Sequence, residues 1–432
     1  MANERDVVIV EGVRTPFAKS GTKLKDVHAA ELGRVALKEL IARADLNPKI
    51  IEEVIIGNTG NPSDAVNISR VVALQSGIPQ NVSAHTVHRN CASAMESIAT
   101  GFDKIKAGVV DVVVAGGTES MSNMPLLFTK EFTDVFAKVM AARSLGSKLK
   151  ALSQMKLQYL RPRISLVDGL TDPFVGINMG QTAEILAKEF HLTREMQDRF
   201  ALESHQKAVK AQKDGILAQE ITPVFLPPKF KDVVSEDIGP RDGQSMEQLG
   251  KLKPYFDRKY GTVTVGNACP ITDGAAMVLL MSRGKAQSLG YKPVATIRSY
   301  GFAGLEPERM GLGPVYATPV ALKRAGLTLK DMGRVELNEA FAAQVLACLK
   351  AYDSDDFARE KLGLSQRLGS VDPQILNVHG GAIALGHPVG ATGTRLVVTL
   401  MKEMQRSNVQ FGLATLCIGG GQGGAIILER EA

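Results

Sequence analysis

Length, composition and charge exclude several classes of protein. The chain has 432 residues, of which 44% are hydrophobic and 22% charged, with a formal net charge of +6. This length exceeds what one hydrophobic core serves and predicts two or three domains. The charge is modest and no low-complexity tract is present, so neither a disordered chain nor a nucleic-acid partner is expected. No apolar run is long enough to predict a membrane-spanning helix.

The cysteines and the N-terminus indicate a reducing compartment. Cys91, Cys269, Cys348 and Cys417 are widely scattered, and no C-x-x-C pair occurs. This spacing argues against a structural zinc site and against the disulfide framework of a secreted protein. Charged residues lead directly into a strand-like run at Val7–Val10, without the apolar core of a signal peptide. We expect a cytoplasmic bacterial chain, with a mature mitochondrial chain as the alternative.

Short β-branched runs alternate with helical patterns along the chain. In chain order the strand-like runs are DVVIV, EEVIIGN, AHTVHRN, VDVVVAGG, RVELNEA, PQILNVHGG and FGLATLCIGGGQGGAIIL. Strands separated by helices predict an α/β fold with parallel βαβ sheets covered by helices on both faces.

Two parts of the chain follow the same plan, which indicates an internal duplication. In each, a strand-like run leads into a turn, then an amphipathic helix, then a strand that ends in glycines; the turns hold Cys91 and His387. We interpret residues 1–120, completed by about 271–293, as one half and 294–432 as the other. Residues 121–270 form an insertion in the first half. Chance similarity between βαβ units is the alternative.

The insertion combines polar helices with a basic apolar segment. Residues 180–215 predict two polar-faced helices. Residues 124–163 carry eight basic and two acidic side chains, together with apolar side chains partly at helical spacing. A basic amphipathic segment suits an anionic membrane surface or a partner protein. A lid packed on its own domain is the alternative.

Cys91, within NCASAMESI, could be a core residue, a metal ligand, half of a disulfide or a nucleophile. Spacing and composition argue against the metal site and the disulfide. Helical periodicity begins at this residue, so we expect it at a helix N-terminus, where backbone N–H groups and the helix dipole favour a thiolate. A nucleophile is the sharper hypothesis, and a buried structural cysteine is the alternative. Cys348, inside a helical pattern, is expected in the core.

Further residues could complete a site around Cys91. His387, in GHPVG, is the candidate base, because the duplication places its turn opposite that of Cys91. His379 is a second possible base that we expect to hydrogen-bond behind the site. Cys417 precedes glycines whose N–H groups could hold an oxyanion, although a small residue in a glycine turn is the alternative. Asn338 could hold a water, or simply form a turn.

Taken together, these stretches resemble the thiolase family along nearly the whole chain. The matching motifs are VRTPF, NCASAMESI, AGGTESMS, MGQTAE, GTVTVGNA, DGAA, NEAF, NVHGGAIALGHPVGATG and CIGGGQG, in this order. The resemblance implies the thiolase fold, with two duplicated βαβ halves in a five-layered αβαβα arrangement and an inserted loop domain.

The resemblance also implies roles for the candidate residues. Cys91 is the nucleophile that becomes an acyl-thioester, and Cys417 is the second acid/base. His387 deprotonates Cys91 and forms one oxyanion site with a water held by Asn338. The backbone N–H groups of Cys91 and Gly419 form the other oxyanion hole.

Coenzyme A is implied as a co-substrate, with no permanently bound cofactor and no metal. Met179 and Cys269 fall at positions expected to contact CoA. Two residues depart from the family pattern: Asn178 stands where many short-chain thiolases have histidine, and Cys269 where the family has a serine. Both departures argue against a short-chain biosynthetic assignment.

A longer 122–170 stretch, an added 352–372 stretch and the NVHGG motif resemble the β-subunits of fatty-acid oxidation complexes. This implies thiolysis of 3-ketoacyl-CoA by a homodimer. The implied partner is an α-subunit with enoyl-CoA hydratase and 3-hydroxyacyl-CoA dehydrogenase activities, docked through residues 124–163 unless these contact a membrane. An acetoacetyl-CoA thiolase and a non-catalytic thiolase-fold lipid carrier or scaffold are the rival hypotheses.

Overall fold

The computed structural model describes residues 3–431. Within this range the strands are β1 (Val7–Arg14), β2 (Ala18–Lys19), β3 (Glu53–Gly57), β4 (Ser83–Val87), β5 (Val112–Ser120), β6 (Leu126–Leu127), β7 (Arg163–Ile164), β8 (Val224–Phe225), β9 (Val233–Val234), β10 (Thr272–Ser282), β11 (Ala295–Gly304), β12 (Arg334–Leu337), β13 (Phe411–Ile418) and β14 (Gln422–Arg430).

The α-helices of the same range alternate with these strands in both halves. They are α1 (Ala29–Arg43), α2 (Ile68–Gln75), α3 (Ser93–Lys106), α4 (Lys130–Ala141), α5 (Leu145–Leu152), α6 (Ser165–Gly169), α7 (Met179–Glu189), α8 (Arg194–Lys213), α9 (Met246–Gly250), α10 (Arg283–Ser288), α11 (Gly313–Ala325), α12 (Ala342–Tyr352), α13 (Asp355–Leu362), α14 (Ala382–Leu385) and α15 (Thr392–Arg406).

The main sheet consists of two half-sheets that are connected through one pair of strands. Its order is β12-β13-β14-β11-β1-β10-β5-β3-β4, with β2 paired to β10. The two halves meet where β1 pairs with β11, through Val8 with Thr296 and Ile9 with Ala295. Each half therefore contributes its own group of strands around a short common seam.

Parallel pairing is confirmed only in part. The β3–β4, β3–β5 and β12–β13 pairs are parallel, whereas the remaining pairs of the main sheet are antiparallel. FGLATLCIGGGQGGAIIL is a hairpin, because Gly420 and Gly421 adopt positive φ between β13 and β14. The predicted strand PQILNVHGG is reduced to one bridge, Val335 with Leu376, since the left-handed Asn377 follows at once. The α/β class holds, with a mixed sheet.

Three apolar clusters pack helices and sheets together into five layers. One cluster packs α1 and α2 against β1, β3, β5 and β10, and a second packs α11 and α12 against β12, β13 and β14. The third lies between the half-sheets and contains side chains of α3 and α15. Helices on the outside and in the middle, with sheets between them, are the αβαβα arrangement that the resemblance implies.

The inserted segment is tied to the first strand by a buried ion cluster. Arg14 Nε donates to Glu220 at 2.6 Å, and its two Nη atoms donate to Asp237 at 2.7 Å each. All three side chains are buried. The two polar-faced helices predicted for residues 180–215 are α7 and α8.

Residues 124–163 do not pack as a lid on their own domain. In α4 only Val135 is buried, and in α5 only Ala151. Met140, Leu145 and Leu157 are 70%, 75% and 84% exposed. The apolar face of this segment is therefore open to contact. In the described part of the chain, no helix has the length and apolar character needed to cross a membrane.

Replacing Arg14 with leucine leaves the carboxylates of Glu220 and Asp237 buried without their cation. We expect the free energy of unfolding to fall by about 3–5 kcal/mol, measured by urea denaturation. Arg199→Ala, which removes an exposed ion pair with Glu195, should change it by less than about 1 kcal/mol. Equal effects of the two substitutions would contradict the anchoring role.

Candidate active site

Two helix N-termini meet at the centre of the molecule. Cys91 follows β4 and lies two residues before α3, and the turn holding His387 precedes α15. A Cβ placed on Gly117 would lie 1.9 Å from the Gly390 carbonyl oxygen, and one on Gly393 would lie 2.5 Å from the Met95 nitrogen. Strand β5 and the start of α3 therefore approach the His387 turn and the start of α15 as closely as glycine permits. The duplication itself stays a prediction.

The Cys91 turn is held against the glycine loop that follows Cys417. Asn90 adopts a left-handed backbone with φ +46°, which asparagine tolerates better than most residues. Its Nδ2 donates to the Gly419 carbonyl at 2.7 Å. This hydrogen bond places Gly419 beside the Cys91 turn, and the N–H groups of Gly419 and Cys91 both oppose the rise in the pKa of Cys91. The two N–H groups expected at an oxyanion hole are thus brought together.

The thiol of Cys91 is not stabilised as a thiolate. Burial raises the pKa of Cys91, and the opposing hydrogen bonds from the Gly419 and Cys91 N–H groups do not compensate. We expect the helix N-terminus to favour the thiolate, but the loss of solvation on burial has the larger effect on the pKa. The expectation of a favoured thiolate is therefore wrong. Reaction at this sulfur requires a base to take its proton.

His387 is a neutral imidazole with one ring nitrogen left open. Its side chain is buried, and Nδ1 lies 2.6 Å from Thr392 Oγ1. Burial and the nearby charge of Arg395 lower the pKa of His387 to about 3. Nε2 is buried without a hydrogen-bond partner among residues 3–431. A neutral imidazole with a free ring nitrogen suits a general base.

Cys417 and Asn338 end neighbouring parallel strands. Leu337 pairs with Thr415, and the Asn338 N–H donates to the Thr415 carbonyl at 2.9 Å. Burial raises the pKa of Cys417 well above its usual value, and the negative charge that Cys91 would carry raises it further. Cys417 is therefore held as a protonated thiol close to Cys91.

The side chain of Asn338 has no protein partner. Both Oδ1 and Nδ2 are buried, and neither is hydrogen-bonded within the described residues. A buried primary amide without partners is costly unless a water or a ligand satisfies it. The side chain thus has the properties needed to hold a water at the site, rather than those of a simple turn-forming asparagine.

Cys269 and Met179 also lie at this site. The Cys269 N–H donates to the Ala340 carbonyl at 3.0 Å, beside the Asn338 turn. Burial, with the charge that Cys91 would carry, raises the pKa of Cys269 to about 12. Met179 Sδ lies 3.2 Å from where a Cβ of Gly419 would stand. Met179 is therefore a neighbour of Gly419, and Cys269 lies near Cys91.

Three other residues named from the sequence make structural contacts. His379 Nε2 is hydrogen-bonded to Glu403 Oε2 at 2.7 Å, as expected for a residue behind the site. Cys348 is fully buried in α12. Asn178, one of the two departures from the family pattern, caps α7 by accepting from the Gly180 N–H at 2.9 Å.

Sequence reasoning missed three supports of the site. Glu119 accepts from the Gly390 N–H at 3.0 Å and from the Thr59 and Gly60 N–H groups at 3.0 Å each, so it joins the halves. Asn90 and Thr392 are the others. All three lie within motifs that carry the family resemblance, and asparagine's tolerance of a left-handed backbone was the one local signal of such a role. Among residues 3–431, no cluster of three or more His, Cys, Asp or Glu side chains could hold a metal ion.

Gly117→Ala should destabilise the protein because its Cβ would meet the Gly390 carbonyl and the Ala94 side chain. We expect a loss of about 1–3 kcal/mol in the free energy of unfolding. Gly146→Ala, in an exposed helix with open space around the new Cβ, should be neutral or stabilising by up to about 1 kcal/mol. The same sign of change in both variants would contradict the close approach of the turns.

Comparison with known proteins identifies the family of the chain. Residues 7–284 match the family model described as "Thiolase, N-terminal domain", and residues 291–430 match "Thiolase, C-terminal domain". A 3-ketoacyl-CoA thiolase of Yersinia enterocolitica is 42% identical over 426 residues, which are 98% of this chain and 97% of that protein. A 3-ketoacyl-CoA thiolase of Yersinia pestis shows the same identity and coverage.

Solved structures give the same result. Human mitochondrial 3-ketoacyl-CoA thiolase superposes with a TM-score of 0.87 at 36% identity and covers 100% of both chains. The human enzyme in complex with CoA gives a TM-score of 0.86 with the same identity and coverage. An acetyl-CoA acetyltransferase of Bacillus anthracis also gives 0.86 at 36% identity, with 99% of each chain covered. The fold is therefore the thiolase fold, and the chain belongs to the thiolase family.

Proposed function

We propose that this protein cleaves 3-ketoacyl-CoA with CoA, producing acetyl-CoA and a chain-shortened acyl-CoA in fatty-acid β-oxidation. One observation carries the proposal: His387 and Asn338 are buried with polar side-chain atoms that lack a partner among residues 3–431, and the turn of Cys91 is hydrogen-bonded to the Gly419 carbonyl. The names of the relatives that match over nearly the full chain point to the same reaction.

In the first half of the proposed reaction, Nε2 of His387 takes the proton of the Cys91 thiol. The sulfur attacks the 3-keto carbon, and the bond between C2 and C3 then breaks. Its electron pair moves to the thioester enolate of acetyl-CoA, and Cys417 protonates C2. The raised pKa of Cys91 explains the need for the base, and that of Cys417 keeps its proton available for C2.

In the second half, the Cys417 thiolate takes the proton of the incoming CoA thiol. The CoA sulfur attacks the acyl-thioester, and Cys91 leaves and recovers its proton from His387. The N–H groups of Cys91 and Gly419 hold the tetrahedral oxyanion, while His387 and a water on Asn338 hold the enolate oxygen. Each oxyanion is met by donors that the fold holds in place before the reaction.

CoA acts here as a co-substrate, and the proposal assigns no resident cofactor. We infer that Met179 and Cys269 line the path of CoA to Cys91. Both belong to the insertion of residues 121–270, and Cys269 is close to its C-terminal end. A crystal structure of a relative with CoA bound supports CoA recognition by this fold.

The nearest rival is an acetoacetyl-CoA thiolase, favoured by the likeness to an acetyl-CoA acetyltransferase. A catalytically silent lipid carrier or scaffold is the rival from another class. Our assignment of Cys91, His387, Cys417 and Asn338 to one site argues against the silent protein, because a carrier needs no acid/base pair.

Cys91→Ala should abolish acyl-enzyme formation and lower the thiolysis rate at least about 1,000-fold. Thiolysis of a 3-ketoacyl-CoA series is followed by CoA consumption, and the acyl-enzyme by mass spectrometry. Cys348→Ala, a thiol of the core, is the matched control and should keep the wild-type rate. Undiminished thiolysis by the Cys91 variant would refute the nucleophile.

The chain-length series separates the rivals. Cleavage of medium and long 3-ketoacyl-CoA substrates supports β-oxidation, whereas cleavage of acetoacetyl-CoA alone supports the short-chain thiolase. Binding of acyl-CoA by the wild type without turnover supports the carrier.

We further propose a homodimer that assembles with an α-subunit in a bacterial cytoplasm. Strand β4 ends the main sheet, and β3 is its one strand neighbour among the described residues. An exposed sheet edge suits pairing with a second chain. The α-subunit would carry enoyl-CoA hydratase and 3-hydroxyacyl-CoA dehydrogenase activities, so that the 3-ketoacyl product passes to this site.

Residues 124–163 are proposed to dock that α-subunit or an anionic membrane surface. The segment exposes Phe136, Met140, Leu145 and Leu149 among the eight basic and two acidic side chains counted there. Exposed apolar side chains rimmed by positive charge are typical of both kinds of contact.

Serine at these four apolar positions should lower binding at least about 10-fold, because each buried apolar side chain contributes about 1.5–3 kcal/mol. Co-sedimentation with phosphatidylglycerol vesicles tests the membrane, and co-purification tests the α-subunit. Tyr260→Ser, at an exposed position outside the segment, is the control. If deletion of residues 125–163 left both contacts unchanged, the docking role would be wrong.

A further inference from the structure

The hydroxyl of Thr392 is the one group that holds the His387 ring among the described residues. Thr392 begins α15 and is fully buried. Its Oγ1 lies 2.6 Å from Nδ1 of His387 and 3.0 Å from the Pro388 carbonyl oxygen. The turn between His387 and α15 therefore folds back so that the helix start supports the imidazole.

The other ring nitrogen of His387 has no partner. Nε2 is buried and unbonded among residues 3–431. A neutral imidazole carries its hydrogen on one nitrogen and accepts on the other. Which nitrogen carries the hydrogen therefore decides whether Nε2 is a base or an N–H donor.

The surroundings of the hydroxyl favour the hydrogen on Nδ1. A hydroxyl has one hydrogen, and the Pro388 carbonyl can accept it, which leaves an oxygen lone pair facing Nδ1. The arrangement also suits the protonated ring, because the imidazolium donates from both nitrogens. Thr392 can accept from Nδ1 before and after Nε2 takes a proton.

Arg395 acts on the same ring from one helical turn further along α15. Its buried guanidinium pairs through Nη1 with Glu336 at 2.8 Å, while Nε and Nη2 have no partner in the described part of the chain. Together with burial, this positive charge lowers the pKa of His387 and keeps the ring neutral. Thr392 then decides between the two neutral tautomers.

We propose that Thr392 is a positioning residue whose hydroxyl accepts the Nδ1 hydrogen of His387 and so presents the Nε2 lone pair as the base. The catalytic consequence rests on the proposed thiolase reaction, in which Nε2 takes the proton of Cys91. The tautomer itself does not depend on that reaction.

Nitrogen NMR of the full enzyme labelled with [¹⁵N]histidine measures the tautomer directly. Long-range ¹H–¹⁵N correlation should show His387 with its hydrogen on Nδ1, and His387→Gln assigns the signals by their loss. The Pro388 carbonyl also accepts from the Ala391 and Thr392 N–H groups. It can therefore be satisfied without the Thr392 hydroxyl, which could then donate to Nδ1 instead. The measurement distinguishes these two hydrogen-bond patterns. A hydrogen on Nε2 in the wild type would overturn the proposal.

Kinetics of two substitutions test the consequence for the reaction. Thr392→Val should lower kcat for thiolysis about 10- to 100-fold with KM unchanged, and Thr392→Ser should restore it. Thr399→Val is the matched control, because Thr399 is a buried residue of α15 whose hydroxyl donates to Glu220 at 3.1 Å. The control should keep the wild-type kcat.

The outcomes separate this proposal from the proposed function. Wild-type kcat in Thr392→Val, or a loss that serine does not restore, would overturn the positioning role. If Thr392→Val fails to fold, the tautomer of the wild type still decides. A wild type that cleaves no 3-ketoacyl-CoA but carries the hydrogen on Nδ1 would contradict the thiolase reaction and leave the histidine assignment standing.

Discussion

The site depends on a backbone contact between strand β5 and the turn that holds His387. Gly117 of β5 lies against the Gly390 carbonyl, and a side chain at residue 117 would not fit between them. Glu119 reinforces the contact by accepting N–H groups from both halves, among them that of Gly390. The starts of α3 and α15 also come together, where a Cβ on Gly393 would meet the Met95 nitrogen. Each helix is preceded by one of the two candidate residues, Cys91 and His387.

Desolvation, rather than ion pairing, sets the proton chemistry of this centre. Burial raises the pKa values of Cys91, Cys269 and Cys417, and lowers that of His387. All four groups are therefore held neutral at rest, a state in which a thiol can give a proton and an imidazole can take one. In the proposed reaction, the N–H groups of Gly419 and Cys91 would meet negative charge only when it develops, which is how electrostatic preorganisation lowers a barrier.

The inserted segment separates two tasks within one stretch of chain. Its polar helices α7 and α8 pack on the C-terminal half, and Glu220 and Asp237 are locked to Arg14. Residues 124–163, by contrast, leave their apolar side chains exposed. One part of the insertion is thus fixed beside the site, and the other is free to make contacts outside the chain.

The sequence by itself determined the α/β class, the order of most elements and the family. β-branched runs located β1, β3, β5 and β12, and the family resemblance of motifs spread along the chain supplied the candidate residues of the site. It could not determine strand direction, because periodicity reports which residues are apolar and not which strands become neighbours. The hairpin at Gly419–Gly421 and the lost strand near Asn377 depend on left-handed backbone that sheet pairing selects. The pKa of Cys91 was also undecided, since a helix N-terminus is a local feature, whereas burial comes from layers that the whole chain builds. Only the tertiary structure brought Thr392 to His387 and left Nε2 unpaired, because the folding back of that turn depends on packing between the two halves.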